Sequence, residues 1–204
     1  MTKVHPNVGA QELSGEFNRQ PATAETSLTV WRKSLLFNCN GFTVFDCKGN
    51  LVFRVDNYSS TCAREVVLMD AAGKPLLTIR RKRLSMSDEW LVYNGEETCK
   101  PWLSMKKQMN ILQSKSVLVY ATRVGGVGGY SVEGSYSQRS CMVYDERRQL
   151  VAEIRRKEAV GGVGFGGDVF RLVVQPGLES AVAMAVVVLL EQMFGSKGSF
   201  SLIR

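Results

Sequence analysis

Basic side chains are the most concentrated chemistry in this chain. Arg80, Arg81, Lys82 and Arg83 are consecutive, as are Arg155, Arg156 and Lys157, and Lys106-Lys107 and Arg147-Arg148 form smaller pairs. Guanidinium and ammonium groups gathered in this way suit phosphate oxygens, which accept charge-assisted hydrogen bonds from both. The formal net charge is +7, and its location matters more than its size. Residues 28–167 carry 21 bases and 13 acids, whereas residues 1–27 and 168–204 are close to neutral. A field of that sign selects anionic partners, either lipid headgroups or nucleic acid. The plainer reading is a charge that keeps the protein soluble, with each cluster a solvated strand end.

Other reactive groups point away from catalysis. The single histidine, His5, lies in a polar N-terminal stretch, so a Ser–His or Cys–His pair would have to be built there. No HExxH, EF-hand loop or paired Cys/His set occurs, and the expectation is no metal and no cofactor. The cysteines at 39, 47, 62, 99 and 141 are odd in number and scattered, without a CxxC. That fits reduced thiols in a reducing compartment. Val124–Gly129 and Gly161–Gly167 are glycine-rich, but a P-loop cradle needs GK[ST] opening a helix, and both stretches run into strand patterns. They read as turns. An enzyme is therefore the last choice among the functions considered.

The elements that must position these groups are mostly strands. Phe42–Asp46 leads through Cys-Lys-Gly-Asn to Leu51–Val55, Val66–Asp70 through Ala-Ala-Gly-Lys-Pro to Leu76–Arg80, and Cys141–Asp145 through Glu-Arg-Arg-Gln to Leu150–Arg155. Each unit is an apolar strand, an aspartate, a short turn and a second strand. The aspartate suits the turn backbone, and glycine supplies positive φ in two of the three. They predict three hairpins on one plan. Further runs at 28–32, 89–93, 102–108, 116–121, 130–134 and 169–174 bring the total to about twelve strands. Residues 1–27 show no periodicity and read as an N-terminal tail, leaving 28–204 as one domain.

The run Ala181–Leu190, AVAMAVVVLL, has no polar side chain. It is too short for a bilayer, which takes about 20 apolar residues. Its Ala-Met-Ala spacing and Leu-Glu-Gln-Met ending predict a helix at about 179–194, with Gly195 placed for a C-cap. A helix apolar on every side must be buried. Many strands and one such helix predict a mainly β, closed antiparallel barrel with the helix in its bore.

Several stretches resemble one known family. They are Leu28-Thr-Val-Trp-Arg-Lys-Ser-Leu-Leu-Phe-Asn38, Gly41-Phe-Thr-Val-Phe-Asp46, Gly49-Asn-Leu-Val-Phe-Arg-Val-Asp-Asn57, Asp168-Val-Phe-Arg-Leu-Val-Val-Gln-Pro-Gly177 and Ala183-Met-Ala-Val-Val-Val-Leu-Leu-Glu-Gln-Met193. Together they resemble the plant LURP-one-related family over roughly Thr26 to Phe194. The resemblance implies the twelve-stranded barrel around a C-terminal helix shared with Tubby C-terminal domains and phospholipid scramblases. It also implies a plant protein linked to defence. It supplies no activity, and no lipid or calcium motif of those relatives matches residue by residue.

The leading functional expectation is a non-enzymatic interaction module that docks on anionic membrane phospholipids, phosphoinositides among them. Arg80–Arg83 and Arg155–Lys157 occupy the same place in the hairpin repeat and would stand at one level of the barrel, as one rim. The alternative is a nucleic-acid-binding or transcription-related protein, with Arg80–Arg83 doubling as a nuclear import signal. A ligand-carrying barrel is disfavoured because a helix would fill the bore. The expected location is cytoplasmic, peripheral at the plasma membrane, with the nucleus as the second choice; no transmembrane segment is expected.

Overall fold

The computed structural model describes residues 24–35, 40–57, 65–83, 88–97, 99–108, 117–158 and 166–195. Twelve strands are followed by one helix: β1 (Thr26–Trp31), β2 (Asn40–Phe45), β3 (Leu51–Asn57), β4 (Glu65–Asp70), β5 (Pro75–Arg81), β6 (Glu89–Asn94), β7 (Leu103–Lys107), β8 (Val117–Arg123), β9 (Gly129–Ser135), β10 (Ser140–Asp145), β11 (Leu150–Arg156), β12 (Val169–Val174) and α1 (Ser180–Phe194). Every strand pairs antiparallel with its neighbours in sequence, and β1 pairs with β12 to close the barrel. Closure leaves no strand edge open to another chain.

The pleat sends alternate side chains inward. Val30, Val44, Leu68, Ile79, Val92, Met105, Val119, Val132, Ala152, Ile154 and Phe170 are all buried on that face. Twelve strands make a bore too wide for side chains alone to fill, and a helix about 10–12 Å across fits it. All of Ala181–Leu190 is buried, as is Met193. A helix of 15 residues is about 22 Å long. Burying each Val, Leu or Met fully stabilises the fold by about 1.5–3 kcal/mol, so α1 is the centre of a single core.

The three aspartate hairpins share detail beyond their sequence. Asp46 Oδ1 accepts the backbone N–H groups of Lys48 and Asn50, Asp70 Oδ1 that of Lys74, and Asp145 Oδ1 those of Arg147 and Gln149. Each first strand carries a register shift at the same point: Val44/Phe45, Leu68/Met69 and Val143/Tyr144. Gly49 and Gly73 take the positive φ of the turn at 86° and 89°. In the third hairpin Arg148 takes it, at 62°. The plan of the turn thus outweighs the strain of placing a side chain there.

One boundary differs from expectation. β1 begins at Thr26, opposite Val174, so the barrel starts two residues before the expected position. The rest of the expected tail, residues 1–23, lies outside the described residues, as do 196–204. Gly195 follows the helix but is not left-handed: its φ is −58° and its ψ 142°. Its N–H donates to the Glu191 carbonyl, and a Cβ there would strike that carbonyl and the Glu191 carboxylate. Glycine is needed for space, not for positive φ.

Candidate functional site

Antiparallel order makes all odd-numbered strands run one way, so the barrel has two distinct ends. The connections β2–β3, β4–β5, β6–β7, β8–β9 and β10–β11, and that from β12 into α1, lie at what we term the turn end. The connections β1–β2, β3–β4, β5–β6, β7–β8, β9–β10 and β11–β12 start and finish at the other, the mouth. α1 enters at the turn end and its C-terminus emerges at the mouth. As sequence, the six connections of the mouth carry eight bases and three acids, and those of the turn end five of each. The glycine-rich Val124–Gly128 is the β8–β9 turn, with Gly125 and Gly128 at positive φ. Gly161 to Phe165 of the second glycine-rich stretch lie outside the described residues.

Both long basic clusters finish strands at the mouth, Arg80–Arg83 on β5 and Arg155–Lys157 on β11. Their common level follows from the repeat. Their bearing does not: β5 and β11 are six strands apart whichever way the ring is followed. The clusters therefore stand on opposite sides of the same end and do not make one contiguous patch. Lys106 and Lys107 also end at the mouth, whereas Arg147 and Arg148 sit at the turn end.

Much of this charge is neutralised on the barrel itself. Arg80 Nε lies 2.6 Å from Glu65, and the guanidinium also covers the Tyr93 ring. Arg81 pairs with Asp88 at 3.1 Å. Lys82 and Lys106 both face the buried Glu89, which also accepts from Ser104. Burial pushes the Glu89 pKa up, but the Ser104 hydroxyl and the two lysines outweigh it, and the net direction is down. On the other side Arg155 pairs with Glu153, Arg156 donates to the Gln138 carbonyl and Lys157 to the Thr29 hydroxyl. Arg83, Lys33 and Arg171 are exposed and have no carboxylate partner among the described residues.

At the centre of the mouth stands a group that the strand pattern alone does not reveal. Glu191, in the last turn of α1, accepts from Arg32 at 2.9 Å and from the Tyr136 hydroxyl at 2.9 Å, with Arg139 at 3.7 Å. Arg139 is buried and lies over the rings of Tyr136 and Phe170. Burial opposes the Arg32 charge, but Glu191 and Asp168 outweigh it and raise its pKa. The Tyr136 phenol is pushed up by burial and by the Glu191 charge. A carboxylate near a helix C-terminus opposes the helix dipole, and the two guanidiniums offset that. The cluster closes the helix exit with ion pairs between groups far apart in sequence.

The β1–β2 connection is pinned at three successive residues. Arg32 bonds Asp168 through both backbone and side chain, the Lys33 carbonyl accepts from Thr43, and Ser34 donates to buried Asp56. The side chains of Trp31, Lys33 and Leu35 are exposed. Among the cysteines, Cys47 and Cys99 are exposed at the turn end; Cys141 faces the core, and burial pushes its thiol up to about 12. Cys39, Cys62 and His5 lie outside the described residues.

Comparison with known proteins agrees with this architecture. The family model described as LURP-one-related matches residues 26–191. Protein LURP-one-related 8 of Arabidopsis thaliana is 49% identical over 199 residues, covering 96% of this chain and 100% of that one. Protein LURP-one-related 17 of the same plant is 45% identical, covering 95% and 90%. An X-ray structure of an Arabidopsis thaliana protein superposes with a TM-score of 0.64 at 25% identity, covering 85% of this chain and 93% of that one.

Proposed function

The chain belongs to the LURP-one-related family, and from that premise we propose that it is a non-enzymatic docking module whose mouth rests on anionic membrane phospholipids, phosphoinositides among them. The observation that carries this reading is the asymmetry of the ends: eight bases against three acids at the mouth, five of each at the turn end. Bases near an anionic leaflet contribute roughly 1 kcal/mol each, so a few exposed ones give weak, reversible attachment. The bore is filled by α1, which favours recognition on the outside of the barrel over a carried ligand. No helix among the described residues is long and apolar enough to cross a membrane, and the proposed contact is peripheral. A place at the cytoplasmic face of the plasma membrane and a link to plant defence belong to the same proposal. The same charge favours a second reading, nucleic-acid binding, but the helix is buried and offers no recognition element.

Sedimentation with vesicles tests both. The protein is mixed with phosphatidylcholine vesicles, alone or with phosphatidylserine or a phosphoinositide, and in parallel with duplex DNA at matched salt. Binding to the charged vesicles at low salt is expected, fading towards physiological salt as the Debye length shrinks to about 8 Å. Lys33→Glu, Arg83→Glu and Arg171→Glu together should abolish it. These bases are chosen because Arg81 and Lys82 hold Asp88 and Glu89, so reversing those would disturb the wall. Wild-type protein that ignores charged vesicles at low salt ends the membrane reading; binding to DNA alone selects the second.

A further inference from the structure

The two sides of the mouth are not equivalent, and we propose that only the β11–β12–β1 side meets the lipid, with Trp31 and Leu35 entering the interface and Lys33 and Arg171 holding headgroups. This rests on the membrane reading above and says which surface carries it. On the β4–β7 side most of the bases face carboxylates: Arg80 with Glu65, Arg81 with Asp88, Lys82 and Lys106 with Glu89, which leaves Arg83 exposed with no carboxylate partner among the described residues. Among the described residues no large apolar side chain is exposed on β2 to β7. On the opposite side Arg155 pairs with Glu153 and Arg32 with Asp168 and Glu191, but Lys33 and Arg171 have no carboxylate partner among the described residues, and large apolar side chains are exposed. Trp31 is 38% and Leu35 50% exposed. Lys33 Nζ stands 5.2 Å from the centre of the Trp31 ring. Arg171 is exposed on the outer wall, in register between Arg155 and Thr29.

This surface is built and not merely left over. Arg32 and Ser34 are drawn inward by Asp168, Glu191 and Asp56, and the Lys33 carbonyl is held by Thr43. The chain is thereby fixed with Trp31, Lys33 and Leu35 facing out. An indole suits the headgroup level, where one edge is apolar and the other wet. A lysine beside it can lay its stem along apolar surface with its ammonium at the phosphates. Apolar groups and unpaired cations at one edge fit an anionic bilayer surface.

Two measurements separate this inference from the broader one. The first is sedimentation of the full chain with phosphatidylcholine–phosphatidylserine vesicles, comparing wild type with Trp31→Ala and Leu35→Ala combined. Withdrawing these two side chains should weaken partitioning about tenfold. The second uses vesicles whose acyl chains carry bromine, which quenches nearby indole fluorescence. Trp90 is buried in the barrel and Trp102 lies at the turn end, so quenching reports on Trp31. Quenching is expected in wild type and should vanish in Trp31→Phe, which still binds. A Leu35→Asp variant gives an independent readout should the double variant melt at a lower temperature. Wild type that binds without quenching, or variants that bind as wild type does, would overturn this side while leaving the mouth as the lipid surface. Wild type that does not bind at all removes the broader reading as well.

Discussion

The two ends of the barrel are made from the same strands and solve different problems. At the turn end, aspartates 46, 70 and 145 spend their carboxylates on backbone N–H groups within four residues. The charges there balance, and each hairpin is a local unit. At the mouth, Asp56, Glu89 and Glu191 are buried or largely buried and take side-chain partners: Arg54 and Ser34 for Asp56, Lys82, Ser104 and Lys106 for Glu89, and Arg32 and Tyr136 for Glu191. Glu191 reaches Arg32 across 159 residues of sequence and Tyr136 across 55. One end is closed by local hydrogen bonds to the backbone and the other by side-chain ion pairs, those of Glu191 long-range. The excess of bases that survives the second arrangement is what gives the mouth a field. Connections that need not be tight are free to carry recognition, and the mouth has the longer ones.

The greatest effect is expected where both ends depend on one element. Val187 is fully buried midway along α1. Val187→Asp places a carboxylate in the bore with no partner, at a cost of several kcal/mol. Loss of soluble, folded protein is expected, read by expression yield and circular dichroism. A soluble variant with unchanged melting would refute the central helix and, with it, the assignment of the two ends.

Next in size is a direct contrast between the ends. Glu191→Ala leaves Arg139 buried with less compensation; breaking a buried pair typically costs 3–5 kcal/mol, and removing an acid from a helix C-terminus returns up to about 1 kcal/mol. The expected loss is roughly 3 kcal/mol. Asp145→Ala removes the acceptor for two backbone N–H groups in a solvated turn, and about 1 kcal/mol is expected. Urea denaturation of both variants tests the ordering. Equal losses would mean that the mouth cluster is no more than a surface ion pair.

How much of this was legible in sequence follows the same division. All twelve strands coincide with the short β-type runs of the sequence, and Val169–Val174 agrees to the residue. The hairpin plan of Asp46, Asp70 and Asp145 is local, so spacing alone exposed it. The uncharged run at 181–190 required burial, and only a closed wall provides it. What failed to show was everything set by register. The repeat gives Arg80–Arg83 and Arg155–Lys157 a common level, but their opposite bearings depend on strand order around the ring. Neutralisation of Arg80 by Glu65 depends on those two residues facing each other across β4 and β5. The Glu191 cluster has no sequence signature, because its members come from α1, the β1–β2 connection and the β9–β10 connection. Gly195 is the C-cap that its residue type indicates, but glycine is needed there for space and not for positive φ.

The smallest expected effect is in acid, and it sharpens the contrast through salt. Glu89 at the mouth and Asp46 at the turn end both titrate below their ordinary values. Burial raises the Glu89 pKa, but Ser104, Lys82 and Lys106 reverse the sign. The Asp46 pKa falls chiefly through the Asn50 side chain and backbone. A carboxyl whose folded pKa is depressed contributes stability that is present above its unfolded pKa, about 4 for these groups, and lost as pH falls through the folded pKa. Stability should therefore decline below about pH 4, and Glu89→Gln or Asp46→Asn should each make that decline shallower. Part of the lysine contribution at Glu89 is Coulombic and reachable by counterions, whereas hydrogen bonds within the Asp46 turn are not screened in the same way. Added salt should shrink the difference between wild type and Glu89→Gln and leave that between wild type and Asp46→Asn nearly unchanged. Thermal melts across an acid pH series at two salt concentrations give the answer. Equal salt sensitivity at the two positions would show that the ends are held by the same kind of interaction, and the division between local turns and an ion-paired mouth would have to be abandoned.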